Sequence, residues 1–470
     1  MSEELTSIPA TELTKLIRAR AVSSTDVVES YLRRIDQVNP SLNAIVTIAP
    51  DAIDRARAAD ADVTHGRDLG PLHGIPLTVK DTIDTQGLRT TSGSRLLANH
   101  VPERDATVVA RLKSAGAIIL GKTNTPEMAA YYETDNPVFG HTNNPHNPLT
   151  TPGGSSGGEA AAIAACLSLA GIGSDLAGSI RLPASFCGIA GLKPTMGRVP
   201  VEGHTPAVIG SLSLGATIGP MARTVADVGL LFEVIADAET SAPAHTQPND
   251  LRGVRAAWYV SDGIAPVDVQ IAGAVERVAD VLRDAGLEVD QAEPPGVSQG
   301  LRLWFELFSK SVNSQLVDFY RGRESEAGSQ VAAMLARAGE KGIGMAAKVD
   351  DAEQLAKAIV ERQRLRDDLL RWMKMTPLLI APVGGTCAWP HGARRVDVGG
   401  ESISVWRAFS YSQAFNVFGL PSVTVPAGQS REGLPIGVQI VGRPQAERVV
   451  LAAASIVERG LGGWQRPRQF

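Results

Sequence analysis

The chain has 470 residues, of which 44% are hydrophobic and 20% are charged. That composition supplies enough apolar side chains for a large buried core and excludes an intrinsically disordered chain. The formal net charge of -5 provides no general electrostatic field for a polyanion, so nucleic-acid binding is not expected.

The N-terminal segment does not resemble a secretory signal. Glu3, Glu4 and Glu12 precede any apolar run, which is the wrong order for such a signal. The three cysteines of the chain lie far apart with no C-x-x-C pair, a pattern typical of free thiols in a reducing compartment. We therefore expect a cytoplasmic protein.

The predicted elements then alternate along the chain. Ser23 and Asp26 form a helix-start pattern ahead of apolar residues at helical spacing. After residue 70, short apolar runs between glycines and prolines predict strands buried on both faces, at 75–79, 117–120, 377–382, 422–425 and 436–441. Helical patterns separate them at 106–115, 159–170 and 224–236. Strands that alternate with helices predict an α/β layered fold.

Three further stretches have a different composition. The uncharged stretch 160–174 is rich in alanine and glycine, which predicts a buried helix too short to span a bilayer. Residues 136–152 are rich in Pro, Thr and Asn and predict a loop. Residues 237–375 are more helical and contain one β-α-β-like unit, at 255–260, 267–285 and 287–290.

Two motifs match known site patterns but lack the local structure that those sites require. Residues 116–123 fit the phosphate-loop pattern G-x-x-x-x-G-K-[ST], yet Ala-Ile-Ile-Leu in its middle is typical of a buried strand. Residues 153–157 fit G-x-S-x-G, which would make Ser155 the nucleophile of an α/β-hydrolase esterase with His391 as a partner. In such a hydrolase a strand leads into a sharp turn, the nucleophile elbow, that carries the serine. The segment before Ser155 is rich in Asn and Pro, which disfavour a strand. This esterase stays an alternative from another class.

Lys80 ends an apolar run in a chain with only ten lysines. Burial disfavours the ammonium form and lowers the pKa, which can turn a lysine into a general base. The plainer interpretation is a lysine paired with Asp81.

A glycine-containing turn leads to Ser179. Successive backbone N–H groups of Leu176, Ala177, Gly178 and Ser179 can converge there on one point and form an oxyanion hole. An ordinary Gly/Ser turn is the alternative.

Together GIPLTVKD (74–81), PGGSSGGEAAA (152–162) and GSDLAGSIRLPASFCGIAGLKPT (173–195) resemble the amidase signature family of Ser-cisSer-Lys hydrolases. The resemblance implies an α/β fold in which a large central mixed β-sheet is surrounded by α-helices, in a single domain over 1–470. It implies Ser179 as the nucleophile, Ser155 as the bridging serine preceded by a cis peptide, and Lys80 as the base. It implies no cofactor, and the dispersed histidines give no support for a metal site.

The nucleophile turn departs from the family pattern, because the first of its two usual glycines is Ala177. That position either has a negative φ or is strained. Asp175, Arg181 and Ser156 are interpreted as supports of the site rather than reacting groups.

Residues outside the motifs suggest a substrate pocket. Tyr131, Tyr132, Phe139 and His141 are predicted to line it, and the variable region 237–375 is expected to shape it. Trp304, Phe305 and Phe308 have helical spacing and are interpreted mainly as packing residues.

These features predict an amidase that cleaves the C–N bond of small carboxamides or anilides through an acyl-enzyme on Ser179, with activity on esters and carbamates (urethanes). The expected partner is a small-molecule amide, ester or carbamate, with no nucleic acid and no membrane, and the resemblance implies a homodimer. Two alternatives stay open besides the esterase: the glutamine-hydrolysing A subunit of a tRNA-dependent amidotransferase, and a non-catalytic amide-binding protein.

Overall fold

The computed structural model describes residues 2–67, 69–237, 248–340 and 349–470. Its α-helices are α1 Ser2–Ser7, α2 Ala10–Arg18, α3 Ser24–Leu42, α4 Ala52–Thr64, α5 Thr107–Ser114, α6 Gly157–Ala164, α7 Arg181–Cys187, α8 Val225–Ile235, α9 Val269–Asp284, α10 Gly300–Trp304, α11 Lys310–Tyr320, α12 Ser329–Glu340, α13 Val349–Trp372, α14 Val405–Ala408, α15 Ser410–Val417 and α16 Glu447–Leu461. Its strands are β1 Ile45–Ile48, β2 Pro76–Lys80, β3 Ile118–Thr123, β4 Ala170–Asp175, β5 Ala190–Lys193, β6 Thr217–Ala222, β7 Arg255–Trp258, β8 Glu288–Gln291, β9 Leu378–Pro382, β10 Arg395–Val398, β11 Glu401–Ser404, β12 Ser422–Gln429 and β13 Pro435–Gly442.

Eleven of these strands form one mixed sheet in the order β1-β3-β2-β4-β6-β5-β12-β13-β9-β7-β8. β2 pairs in parallel with β3 and β4, and β7 pairs in parallel with β8 and β9. The other neighbours in this sheet are antiparallel. β10 and β11 form a separate hairpin. The predicted large mixed sheet surrounded by helices is confirmed.

The sheet is buried on both faces. Along β9, Leu378 and Ile380 belong to one apolar cluster, whereas Leu379 and Ala381 belong to another, because successive side chains of a strand point to opposite faces. The second cluster contains many of the aromatic side chains, including Trp304. Because both faces are buried, the strand sequences are continuous apolar runs and do not alternate apolar with polar residues.

Most predicted elements occur, and the ends of α3 and α8 follow their capping signals. Ser23 caps α3 by accepting a hydrogen bond from the Asp26 N–H, and Thr224 caps α8 in the same way from Asp227. The predicted β-α-β-like unit is β7, α9 and β8, with β7 and β8 parallel. Among the described residues, no helix has the length and apolar composition needed to cross a membrane.

The stretch 160–174 was wrongly predicted as one helix. The helix α6 ends at Ala164, Cys166 adopts a left-handed φ of 59°, and β4 begins at Ala170. A fully buried Ala/Gly sequence has no polar face, so its periodicity cannot separate a helix from a strand. Gly171 is required in the strand, because a Cβ there would lie 2.6 Å from the backbone oxygen of Thr78.

Gly158 allows α6 to approach the end of β3. A Cβ at this position would lie 2.4 Å from Asn124 N and 2.8 Å from Ala44 O, both of which are backbone atoms. We expect Gly158→Ala to lower the free energy of unfolding by about 1–3 kcal/mol through overpacking. Chemical denaturation measures this change.

Gly229 is the matched control, because it also lies inside a helix but a Cβ there would meet nothing closer than 3.8 Å. Gly229→Ala is expected to leave stability unchanged or raise it by about 0.5–1 kcal/mol. Equal effects of the two substitutions would contradict the close approach at Gly158.

Candidate active site

The carboxyl ends of β2 and β4 bring Lys80 beside Ser174. These strands are parallel neighbours, with Val79 opposite Ile172, so they end at the same edge of the sheet. Lys80 Nζ lies 3.0 Å from Ser174 Oγ. The sheet topology therefore places a lysine from one motif against the start of another.

Lys80 also contacts Ser155, whose Oγ lies 2.6 Å from Lys80 Nζ. The lysine side chain is fully buried. Burial lowers the pKa of Lys80 to about 7, although the carboxylates of Asp175 and Glu159 act in the opposite direction. A substantial fraction of this lysine is therefore an uncharged amine at neutral pH, which can accept a proton.

Ser155 lies in a tightly packed loop with a cis peptide bond between Gly154 and Ser155. A Cβ on Gly154 would lie 2.9 Å from the Tyr132 carbonyl carbon, so this position requires glycine. Thr125 Oγ1 donates a 2.9 Å hydrogen bond to the Ser155 carbonyl oxygen. Ser156 Oγ accepts from the backbone N–H of Ser174 at 3.3 Å, which ties this loop to β4.

The Ser179 turn is built around the Asp175 carboxylate. Asp175 accepts hydrogen bonds from the backbone N–H of Gly178 at 2.8 Å and of Ile180 at 3.1 Å. The Arg181 guanidinium donates to both of its oxygens, each at 3.1 Å. Asn416 Nδ2 donates another bond at 2.9 Å. The carboxylate thus fixes the backbone on both sides of Ser179.

This ion pair has no solvent exposure on either side chain. Burial alone would raise the pKa of Asp175, but the Arg181 charge and hydrogen bonds, with Lys193 and Asn416, hold it below its ordinary value. Arg181 also donates to Ser412 O and to Gln439 Oε1, both at 2.9 Å. Asp175 and Arg181 therefore connect the turn to α15 and β13.

Three of the four predicted oxyanion donors keep a free N–H group. Gly178 is the exception, because its N–H donates a hydrogen bond to the Asp175 carboxylate. The candidate oxyanion donors are therefore the N–H groups of Leu176, Ala177 and Ser179. Among the described residues, none of these three N–H groups donates a hydrogen bond. The left-handed φ of 105° falls on Gly178 rather than Ala177. Alanine at 177 therefore costs no backbone strain.

Two aromatic side chains also donate hydrogen bonds to the carbonyl groups of the Ser179 turn. Tyr132 OH donates to Ala177 O, and Trp304 Nε1 donates to Leu176 O, each at 2.8 Å. With these carbonyl oxygens bound on one side, the adjacent N–H groups are left available on the other.

Ser155 and Ser179 line one small cavity. The N–H of Ser156 donates a 3.1 Å hydrogen bond to Ser179 O, which brings the two serine segments together. In the part of the chain that the structure describes, the two serine hydroxyls do not hydrogen-bond directly. Catalytic hydrogen bonds are often long without substrate and shorten in the reacting complex.

A second, larger cavity meets the first at Ser179. Both cavities share the walls formed by Ala129, Ala130, Leu176 and Val312. The inner part of the larger cavity is lined by buried or half-buried aromatic side chains, those of Tyr131, Tyr132, Trp304 and Trp406. Its outer part is lined by exposed Phe305 and by basic side chains, those of Lys310, Arg337, Arg394 and Arg395. The two spaces can hold the two sides of an amide bond placed at Ser179.

The predicted pocket residues divide into two pairs. Tyr131 and Tyr132 line the larger cavity, whereas Phe139 and His141 are not among the residues that line either cavity, and their role as pocket residues stays a prediction. The Arg89 guanidinium lies 4.9 Å from the centre of the Phe139 ring, and the His141 ring lies 4.7 Å from that of His391. Asn136 turns the chain here by accepting hydrogen bonds from the backbone N–H groups of residues 138 and 139.

Several residues of the site were not predicted from the sequence. Trp406 lines the larger cavity from α14, and His204 lines the smaller one from the loop between β5 and β6. Neither belongs to a motif. Asn416 and Ser412 lie on α15, which is buried although four of its eight residues are polar. That unusual composition was the only available signal for α15, because buried polar groups require partners.

The two rejected motifs have ordinary structural roles. Lys122 lies on β3, a strand rather than a phosphate loop, and its buried Nζ donates to Ile83 O, Thr85 Oγ1 and Thr90 Oγ1. No strand precedes Ser155 within residues 124–154, so the hydrolase elbow is absent. His391 contacts Glu133 and Pro148 O. No cluster of three His, Cys, Asp or Glu side chains that could hold a metal ion occurs among the described residues.

Comparison with known proteins identifies the family. The amidase family model matches residues 26–451. Among curated relatives, the A subunit of glutamyl-tRNA(Gln) amidotransferase from Carboxydothermus hydrogenoformans is 35% identical over 97% of this chain and 98% of its own length. The protein of the same name from Roseiflexus sp. is 37% identical over 93% of each chain.

Solved structures show the same architecture. A chain from a vestigial protein complex of an s-triazine catabolic enzyme superposes with a TM-score of 0.86 at 28% identity, covering 98% of this chain and all of that one. A bacterial aryl acylamidase of the amidase signature family has a TM-score of 0.83 at 26% identity, covering 96% of each chain.

The relatives correct the predicted partners. They are named as one subunit of an enzyme that acts on a charged tRNA. The prediction of a small-molecule substrate alone, with no nucleic acid, and of a homodimer, is therefore wrong. The net charge of -5 was a poor guide to partners because it describes only the field of this one chain.

The ion pair between Asp175 and Arg181 generates a stability prediction. Asp175→Asn leaves a buried guanidinium without its counter-charge, so we expect the free energy of unfolding to fall by about 3–5 kcal/mol. Asp280→Asn, which removes an exposed pair with Arg283, should change it by no more than about 0.5 kcal/mol. Urea denaturation of both variants tests this, and comparable losses would show that the buried pair has no special role.

Proposed function

The chain belongs to the amidase family, whose members are amidohydrolases that act on C–N bonds, and on that premise we propose that Ser179 attacks a carboxamide carbonyl and forms an acyl-enzyme. The observation that carries the proposal is the position of a buried lysine with a lowered pKa 2.6 Å from Ser155, whose side chain lines one cavity with Ser179. Lys80 acts as the base and Ser155 as the bridge.

The proposed reaction needs only groups of this chain and water. The Ser155 hydroxyl passes its proton to neutral Lys80 and takes the proton of Ser179, which attacks the carbonyl carbon. The free N–H groups of Leu176, Ala177 and Ser179 stabilise the oxyanion that forms. The same relay returns the proton to the leaving nitrogen, and the C–N bond breaks. Water then attacks the ester, and the acid leaves Ser179.

We propose that the amide is glutamine and that the chain is the ammonia-producing subunit of an assembly that amidates glutamyl-tRNA(Gln). Its support is the identity of 35–37% to A subunits across nearly the full length of both proteins. The basic outer lining of the larger cavity, with Lys310, Arg337 and Arg394, suits the α-carboxylate of glutamine.

Aryl amides are a second candidate substrate, favoured by the aromatic inner lining from Tyr131, Trp304 and Trp406. The fold is also shared with an aryl acylamidase. We further propose side activity on activated esters and carbamates, because each forms a tetrahedral anion that the same N–H groups can bind.

Two broader expectations belong to the same proposal. The region 237–375, within one domain over the full chain, shapes the substrate pocket, since Trp304, Phe305 and Lys310 line the larger cavity. A cytoplasmic location is consistent with three cysteines that are all free thiols.

The function is tested by following ammonia release from glutamine. We expect Ser179→Ala to lower turnover by about 10⁴-fold or more, because the nucleophile is lost, whereas Ser41→Ala, at an exposed position, should be neutral. Mass mapping after fluorophosphonate treatment should find the label on Ser179. Full turnover by Ser179→Ala, or label on Ser155, would exclude the proposed roles.

The substrate is tested separately from the mechanism. Ammonia from glutamine should be transferred to glutamyl-tRNA(Gln) when the chain is co-purified with its companion subunits. An acyl anilide serves as the competing substrate. A much higher kcat/KM for the anilide, in a chain that retains no companion protein, would favour the aryl amidase.

The pKa of Lys80 predicts the pH dependence. Lys80 must be neutral to accept a proton, and its pKa lies at about 7. Activity should therefore be low at pH 5–6, rise through about pH 7 and level off above it. The charged groups that act on this lysine are Asp175 and Glu159. A kcat/KM profile that is flat from pH 5 to 8 would contradict the assignment of the base.

A further inference from the structure

His204 lies outside the motifs but is connected to the base. It belongs to the loop between β5 and β6, and its partly buried ring lines the smaller cavity. His204 Nε2 lies 2.9 Å from Ser174 Oγ, the hydroxyl that is 3.0 Å from Lys80 Nζ. A chain of three polar groups therefore runs from the imidazole to the lysine.

The other ring nitrogen fixes the direction of these hydrogen bonds. His204 Nδ1 lies 2.8 Å from the carbonyl oxygen of Pro206, and a carbonyl can only accept. Nδ1 therefore carries the proton, and Nε2 carries a lone pair. The Ser174 hydroxyl must then donate to Nε2, because two acceptors cannot share a hydrogen bond.

This direction determines what Ser174 offers to Lys80. With its proton directed at His204, the Ser174 oxygen can only accept an N–H from Lys80. The neutral amine has one lone pair, and that lone pair is left for the Ser155 hydroxyl at 2.6 Å. Without the imidazole, Ser174 could turn its own proton toward the lysine and occupy the lone pair that the relay needs.

We propose that His204 is a positioning residue, which acts through Ser174 to keep the lone pair of Lys80 directed at Ser155. The inference rests on the proposed roles of Lys80, Ser155 and Ser179. Burial, and then the nearby Lys80, lower the pKa of His204 to about 4, so the ring stays a neutral acceptor throughout the pH range in which Lys80 titrates.

The experiment measures the reactivity of Ser179 directly, as the rate constant for its labelling by a fluorophosphonate. His204→Phe keeps a planar ring but removes the acceptor, and we expect labelling to slow by roughly 10- to 100-fold. The midpoint of the pH–rate profile should move to lower pH, because a Ser174 proton donated to the amine stabilises its neutral form. His204→Gln offers a side-chain oxygen as acceptor and should recover much of the rate.

A double-mutant cycle separates this role from a purely structural one. If His204 acts through the Ser174 hydroxyl, then His204→Phe should have little further effect in a Ser174→Ala background. Circular dichroism melting curves of all variants check that each one folds. Additive losses, or a loss that glutamine at 204 does not restore, would overturn the proposal.

The two proposals fail in different ways. No label on Ser179 in the unmodified protein would reject the proposed mechanism. Normal labelling of Ser179 at an unchanged rate and pH midpoint in His204→Phe would reject the role of His204 alone.

Discussion

The buried carboxylate of Asp175 is the constraint on which the site depends. It accepts backbone N–H groups from the turn that carries Ser179, and its charge is balanced by Arg181 inside the protein. Arg181 in turn is held by Gln439 and Asn416, which lie far along the chain on the sheet and on α15. An unpaired charge buried in this position would be very unfavourable. We therefore expect Asp175, Arg181 and their partners on the sheet and on α15 to come together as one unit in the folded protein.

Buried lysines show how the surroundings decide the chemistry. Lys80, Lys122 and Lys193 are all fully buried, and burial lowers the pKa of each. Lys122 and Lys193 donate to carbonyl oxygens, and the two threonine hydroxyls beside Lys122 direct their own protons to backbone carbonyl groups. Lys80 contacts two serine hydroxyls, which can both give and receive protons. Burial lowers the pKa of all three lysines, but of the three only Lys80 contacts serine hydroxyls that line the smaller cavity with Ser179.

Two opposite environments meet at Ser179. In the smaller cavity, the polar side chains of Ser155, Ser174 and His204 lie among apolar walls. The larger cavity is lined by aromatic and by basic side chains. Trp304 takes part in both the cavity and the turn. Its ring lines the larger cavity, and its indole N–H donates a hydrogen bond to the Leu176 carbonyl oxygen. Trp304 therefore connects the lining of the larger cavity to the geometry of the turn, and its helix passes into a π-helical turn at Phe305–Ser309.

The sequence by itself determined the local structure and the family: buried strands from apolar runs, helix starts at Ser23 and Thr224, and the motifs that contain Lys80, Ser155 and Ser179. It misassigned β4, because an apolar Ala/Gly segment carries no periodic signal. Only the tertiary structure decided which of the turn amides are free, that Phe139 and His141 pack against Arg89 and His391, and that His204, Trp406 and Asn416 belong to the site. These outcomes depend on contacts between residues tens to hundreds of positions apart, and local pattern contains no information on distance across a sheet.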